Sequence, residues 1–235
     1  MVVSNILENF VKDKRVIVCG PAPHLENQNK GSWIDDHDVV VRVNQCYVPE
    51  HLFNDYGKKI DIMSHNFGTD WIPALKQESI EHKDQFDKLK MMICPLLYGT
   101  RVKEDNYMSW SEDHIGDVVR NAESINTNEI PFYWIGPKKY QQLYHEIGSQ
   151  PYSGVLTIMM LLECNVKSLT VTGFDFYQTS NVYYEGFHNP MNGPLPTVGG
   201  GHGNAIQQAR YIKGIYQSRE DFFIDDKLKN IFENL

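Results

Sequence analysis

Hydrophobic residues in this chain gather in short β-branched runs separated by stretches of helical spacing. VIVC at residues 16–19 stops at Gly20, a strand followed by a turn, and VVVRV at 39–43 reads as a second strand. IDIMS (60–64), KMMIC (90–94), PFYWI (131–135) and SLTVT (168–172, closed by Gly173) extend the series. Helical patterns lie between them. Residues 5–11 open the chain, and 138–147 follow the Gly136–Pro137 break. Residues 153–163 are apolar nearly all round, which predicts a buried helix. Residues 202–217 place Ile206, Ala209, Ile212 and Ile215 on one face. Strands alternating with helices predict an α/β sandwich: a Rossmann-like, mostly parallel twisted sheet flanked by helices, as a single domain over residues 1–235. Two polar stretches rich in Asn, Ser and Gly, 99–128 and 178–201, read as long loops.

In sheets of this kind, ligands bind beyond the carboxyl ends of the strands. That rule gathers residues 20–24, 44–46, 64–66 and 173–177 around one crevice. The turn Gly20-Pro21-Ala22-Pro23 lacks the second and third glycines of a dinucleotide fingerprint, so NAD and FAD are not expected. Asp35-Asp36-His37-Asp38 has two readings: an Asp-x-Asp cation site, or residues capping the turn into the second strand. Pro151-Tyr152-Ser153-Gly154 opens the buried helix. Ser153 suits an N-cap there, and free backbone N–H groups suit an anion. His202 follows three glycines at the start of a helix.

Composition narrows these options. Of 235 residues, 41% are hydrophobic, enough for a real core. The net charge of −8 argues against a nucleic-acid binder, which needs a basic face, but leaves room for a small anionic ligand. The longest apolar run, 155–162, is too short to span a bilayer, and residues 1–15 carry no apolar signal-peptide stretch. A soluble or cytoplasmic chain with no membrane-spanning segment is expected. Cys19, Cys46, Cys94 and Cys164 form no CxxC pair, so buried thiols are expected rather than zinc.

Several of these segments, in order, resemble the sialylmotifs of glycosyltransferase family 29. Residues 16–44, ending in IDDHDVVVRVN, resemble the long motif. Pro151-Tyr152-Ser153-Gly154 with Gly173-Phe174 resembles the small motif, Tyr183-Tyr184-Glu185 the third, and His202 the very short one. Bacterial lipooligosaccharide sialyltransferases are similar at Arg42-Val43-Asn44-Gln45, Gly57-Lys58-Lys59 with Asn66, Ser153-Gly154-Val155, and Asp175-Phe176-Tyr177-Gln178 with Tyr183.

The resemblance implies a GT-A variant fold and an inverting transferase that moves sialic acid from CMP-sialic acid to a glycan acceptor without a metal or other cofactor. It makes His202 the general base, and Tyr177 and Tyr183 donors to the departing phosphate. It places Gly20, Pro21, Asn44, Asn66, Ser153, Gly154, Asp175 and Phe176 on the CMP-sugar donor, and it leaves Asp36 and Asp38 structural. The chain departs from the pattern at Gln207, where the very short motif has Glu, and at Pro21, where the bacterial loop has Asn. Another CMP-sugar acid such as CMP-Kdo, or a catalytically silent CMP-sugar-binding protein, are the alternatives.

Overall fold

The computed structural model describes residues 5–44, 47–95, 112–178, 183–184 and 204–235. Among them, seven strands form one sheet: β1 (Arg15–Cys19), β2 (Val39–Val43), β3 (Ile62–Ser64), β4 (Met91–Cys94), β5 (Phe132–Trp134), β6 (Ser168–Thr172) and β7 (Phe222–Ile224). Their order is β5-β4-β3-β2-β1-β6-β7, and each of the six pairings is parallel. The helices are α1 (Asn5–Val11), α2 (Gly31–Asp35), α3 (Phe53–Tyr56), α4 (Ile72–Glu81), α5 (Lys83–Phe86), α6 (Glu112–Ile125), α7 (Pro137–Ile147), α8 (Ser153–Leu162), α9 (Ala205–Ser218) and α10 (Asp226–Glu233).

A parallel sheet is buried on both faces, so its strands carry continuous apolar runs. Here the period-2 alternation of each strand divides those runs between two helical layers. Val16, Val18, Val39, Val41, Leu169 and Val171 face α1, α7, α8, α9 and α10 in the main core. Ile17, Cys19 and Val40 face the opposite layer, with Leu25, Ile34 and Tyr56. Met63, Met92 and Cys94 pack there against α4 and α6. Cys19, Cys94 and Cys164 are buried free thiols, and Cys46 lies outside the described residues. Among the described residues, no helix is long and apolar enough to cross a membrane.

The chain order places a switch point between β1 and β6. From β1 the chain runs outward through β2 to β5, and from β6 it runs the other way to β7. A crevice opens at such a point, at the carboxyl ends of the strands.

Three expectations need correction. Residues 112–125 form α6 inside the stretch expected to be a loop. A narrow stripe of Val118, Ala122 and Ile125, spaced four and three apart, is enough to seat an otherwise polar helix on the second core. The third strand starts at Ile62 rather than residue 60, and just before it the Asp61 carboxylate accepts from the Val40 amide. Finally, β7, α4 and α10 add elements that the periodicity did not predict.

Candidate functional site

The loops leaving β1 and β6 meet at the switch point. Gly20 N donates to Thr172 O at 2.8 Å, and Ala22 N donates to Gly173 O at 2.9 Å. A Cβ on Gly20 would lie 2.4 Å from Gly173 O, and one on Gly173 would lie 2.4 Å from Gly20 O. Gly173 also has φ +73°, a left-handed conformation that glycine adopts without steric cost. The ring of Phe174 fills the remaining space: a Cβ on Gly154 would meet it at 2.3 Å, and one on Gly20 at 2.9 Å. Gly20 and Gly154 are therefore glycines because a backbone and an aromatic ring approach them closely.

Beyond Phe174 the chain makes a strained turn. Phe176 and Tyr177 both have positive φ, 50° and 55°. For non-glycine residues this costs on the order of 1–3 kcal/mol each. Asp175 offsets the strain locally. Its carboxylate accepts from Tyr177 N at 2.9 Å, and its carbonyl accepts from Gln178 N at 2.9 Å. Phe176 turns into the main core beside Phe232. Asp175 and Phe176 thus build the turn, and Tyr177 is what the turn presents.

Tyr177 Oη lies 3.3 Å from Tyr183 Oη. The Asn44 side chain donates to Tyr183, and the edge of Tyr152 meets Tyr177 at 5.4 Å between ring centroids. Asn44 is itself left-handed, with φ 66°, and its N–H donates to Ser64 O. Its Oδ1 is buried with no partner among the described residues. Burial raises the Tyr177 phenol well above the ordinary range, with Tyr183 adding to the effect. Burial likewise pushes Tyr183 up to about 12, against the lowering effect of its hydrogen bonds with Tyr177 and Asn44. Both phenols are therefore protonated donors at any physiological pH.

Asn66 follows β3 at the same edge. Its Oδ1 accepts from Gly68 N at 3.0 Å, and its amide donors take no protein partner among the described residues. Pro21 contributes its carbonyl, which accepts from Tyr184 N at 3.0 Å and ties the segment carrying Tyr183 to the first loop. Ser153 is the first residue of α8 rather than its N-cap. The cap is Tyr152, with no side-chain bond, and Ser153 uses its carbonyl to accept from Thr157 Oγ1 at 2.7 Å. The structure thus brings Gly20, Pro21, Asn44, Asn66, Gly154, Tyr177 and Tyr183 to one edge of the sheet. His202 lies outside the described residues, two residues before the N-cap of α9, Asn204.

The aspartate run lies elsewhere. Asp36 and Asp38 hold Arg15 at the opposite, amino-terminal edge of β1 and β2. Asp35 accepts from the Lys58 and Lys59 amides. Arg42 is buried, and its guanidinium donates to Tyr56 O, Gly57 O and Lys59 O. Asp35 and Arg42 hold the turn ahead of β3, and Asp36 and Asp38 pair with Arg15. Among the described residues, no three His, Cys, Asp or Glu side chains cluster as a metal site would require.

Sequence reasoning missed Asp225, which follows β7. Its Oδ2 accepts from Thr172 Oγ1 at 2.8 Å, Gly173 N at 3.0 Å and His24 Nε2 at 3.1 Å, while Oδ1 caps α10 through Leu228 N. One carboxylate therefore joins the loops after β1 and β6. Its partners in the loops after β1 and β6 are 201, 53 and 52 residues away in sequence.

The family model described as glycosyltransferase family 29 (sialyltransferase) matches residues 10–192. Among curated proteins, none is matched by sequence. Solved structures share the fold. The sialyltransferase CstII from Campylobacter jejuni, in complex with the substrate analogue CMP-3FNeuAc, is 17% identical with a TM-score of 0.55, over 90% of this chain and 81% of that one. CstII with cytidine-5'-monophosphate is also 17% identical, with a TM-score of 0.53 over 91% and 80%. A mammalian sialyltransferase in complex with Gal-beta-1-3GalNAc-ortho-nitrophenol is 14% identical, with a TM-score of 0.54 over 93% and 71%.

Proposed function

The chain belongs to glycosyltransferase family 29, the sialyltransferases, and from that premise we propose that it transfers sialic acid from CMP-sialic acid to a glycan hydroxyl, with inversion and without a metal. The observation that carries this reading is the pair of protonated phenols, Tyr177 and Tyr183, 3.3 Å apart at the switch-point edge. The acceptor oxygen attacks the anomeric carbon from the side opposite CMP. The bond to the phosphate oxygen breaks as the new glycosidic bond forms, and the electron pair leaves with CMP.

Negative charge then grows on one phosphate group. Two preorganised O–H donors stabilise such charge more in the transition state than in the ground state. Asn44 and Asn66, with amide groups at the same edge, contact the nucleotide. His202 takes the acceptor proton, since a histidine of ordinary pKa near 6.5 is suited to that role near neutral pH.

The test is His202→Ala. Turnover with CMP-sialic acid should fall by about 10²- to 10⁴-fold while CMP affinity, measured by calorimetry, stays nearly constant. Loss of CMP binding would move His202 into the donor pocket. Running the same assay with CMP-Kdo tests the alternative donor, and preference for Kdo would correct the substrate assignment.

A further inference from the structure

Gln208 is completely buried on α9, and it makes two main-chain bonds to a neighbouring segment. Its Nε2 donates to Gln150 O at 2.9 Å, and its Oε1 accepts from Tyr152 N at 2.7 Å. The two backbone groups flank Pro151, which has no N–H of its own. A side-chain amide donates to one and accepts from the other at once without carrying charge. The bonds hold Tyr152 extended, with φ −72° and ψ 152°, so that α8 begins at Ser153. They also fix the ring of Tyr152 in its T-shaped contact with Tyr177, whose hydroxyl meets Tyr183. Gln208 sits in the first turn of α9, which starts at Ala205, capped by Asn204, three residues after position 202.

We infer that Gln208 is a positioning residue for the transfer reaction. It sets the distance between the helix that follows His202 and the phenols that receive the leaving phosphate. It lies beyond residue 192, where the family match ends. The inference rests on the donor reading above, because that reading gives His202 and the two tyrosines complementary roles. Gln208 touches no reacting atom. Its effect is geometric, and a misplacement of about 1 Å can cost up to about 100-fold in rate.

Two variants test this role. Gln208→Leu removes both bonds, and Gln208→Glu keeps the acceptor for Tyr152 N. When ionised, Glu cannot donate to Gln150 O; when protonated, it can. Gln208→Leu should lower kcat by about 10- to 100-fold with the KM for CMP-sialic acid within about threefold of wild type. The rate of Gln208→Glu relative to wild type should be low at pH 8 and recover as the pH falls toward 5.5, because the buried carboxyl gains its proton. A folded Gln208→Leu protein with wild-type kcat would overturn the inference. So would a Gln208→Glu ratio that does not change with pH, which would leave only a structural role. If Gln208→Leu fails to fold, the pH profile of Gln208→Glu decides alone. Absence of turnover in the wild-type chain overturns the donor reading instead, and this role falls with it.

Discussion

Removing one hydroxyl from the phenol pair separates chemistry from structure. In Tyr177→Phe the ring keeps its edge contact with Tyr152 and its place on the turn held by Asp175. What is lost is one O–H···O contact with Tyr183, while Tyr183 still receives the Asn44 donation. The stability cost should be about 1 kcal/mol, the net worth of a typical hydrogen bond. The catalytic cost should be larger, because the donor acts on charge that exists only as the phosphate leaves. Loss of one such donor costs about 10²- to 10³-fold in kcat, or about 2.7–4 kcal/mol. Tyr183→Phe should match that rate effect and destabilise more, by about 1–3 kcal/mol, because the Asn44 amide loses its acceptor. The double variant should lose less than the product of the two, since hydroxyls 3.3 Å apart serve the same group. The assay is CMP release followed by chromatography at saturating donor, with CMP affinity and thermal melts measured in parallel. A double variant with kcat within about threefold of wild type would refute the reasoning, since a single donor of this kind is worth about 10²-fold.

Three further outcomes follow from the packing and the buried charges. Gly154→Ala forces a methyl to within 2.3 Å of the Phe174 ring, and it should cost about 1–3 kcal/mol in a denaturant melt; an unchanged midpoint would show that the ring can move away. Burial pushes the Asp225 carboxyl up, but donations from His24, Leu228 and Thr172 outweigh it and hold the group below the usual carboxylate range. Its folded pKa is depressed, so its contribution is complete above the unfolded value near 3.9 and is lost as pH falls through the folded value. Asp225→Asn should therefore lower the melting temperature at pH 7, and the gap to wild type should close in acid. A gap of constant size down to pH 2 would exclude the charge as its cause. Burial lowers the His65 imidazole to about 3. The unfolded chain binds this proton near pH 6.5 and the folded chain does not, so stability falls as pH drops below about 6.5. His65→Leu should flatten that part of the stability–pH curve, and an unchanged slope would exclude His65 as its source.

The central strands were legible because VIVC, VVVRV and SLTVT are short β-branched runs closed by turn residues, and such runs seldom fit anything but a buried strand. Helix α4 escaped because its buried face includes Glu78 beside Ile72 and Leu75, so the apolar repeat is broken by a carboxylate. Strand β7 escaped because it is three residues long with Phe223 half exposed. At the site, Tyr177 and Tyr183 were picked out by their motif, and their hydroxyls lie 3.3 Å apart. Gly20 and Gly154 were read as ligand contacts; the structure adds the close approach of Gly173 O to Gly20 and of the Phe174 ring to Gly154, contacts between distant segments that no local pattern encodes. Asp225 and Gln208 were invisible for the same reason. Their hydrogen bonds reach 201 and 58 residues along the chain, and an Asp or Gln whose partners are that distant reads as solvated surface.

The most direct measurement is a proton NMR time course of the purified chain with CMP-sialic acid, a panel of galactose-terminated glycans and excess EDTA. Release of CMP together with a sialoside of inverted anomeric configuration is expected, at a rate that the chelator does not change. An intact donor after prolonged incubation, a product of retained configuration, or activity that returns only with added divalent cation would contradict it.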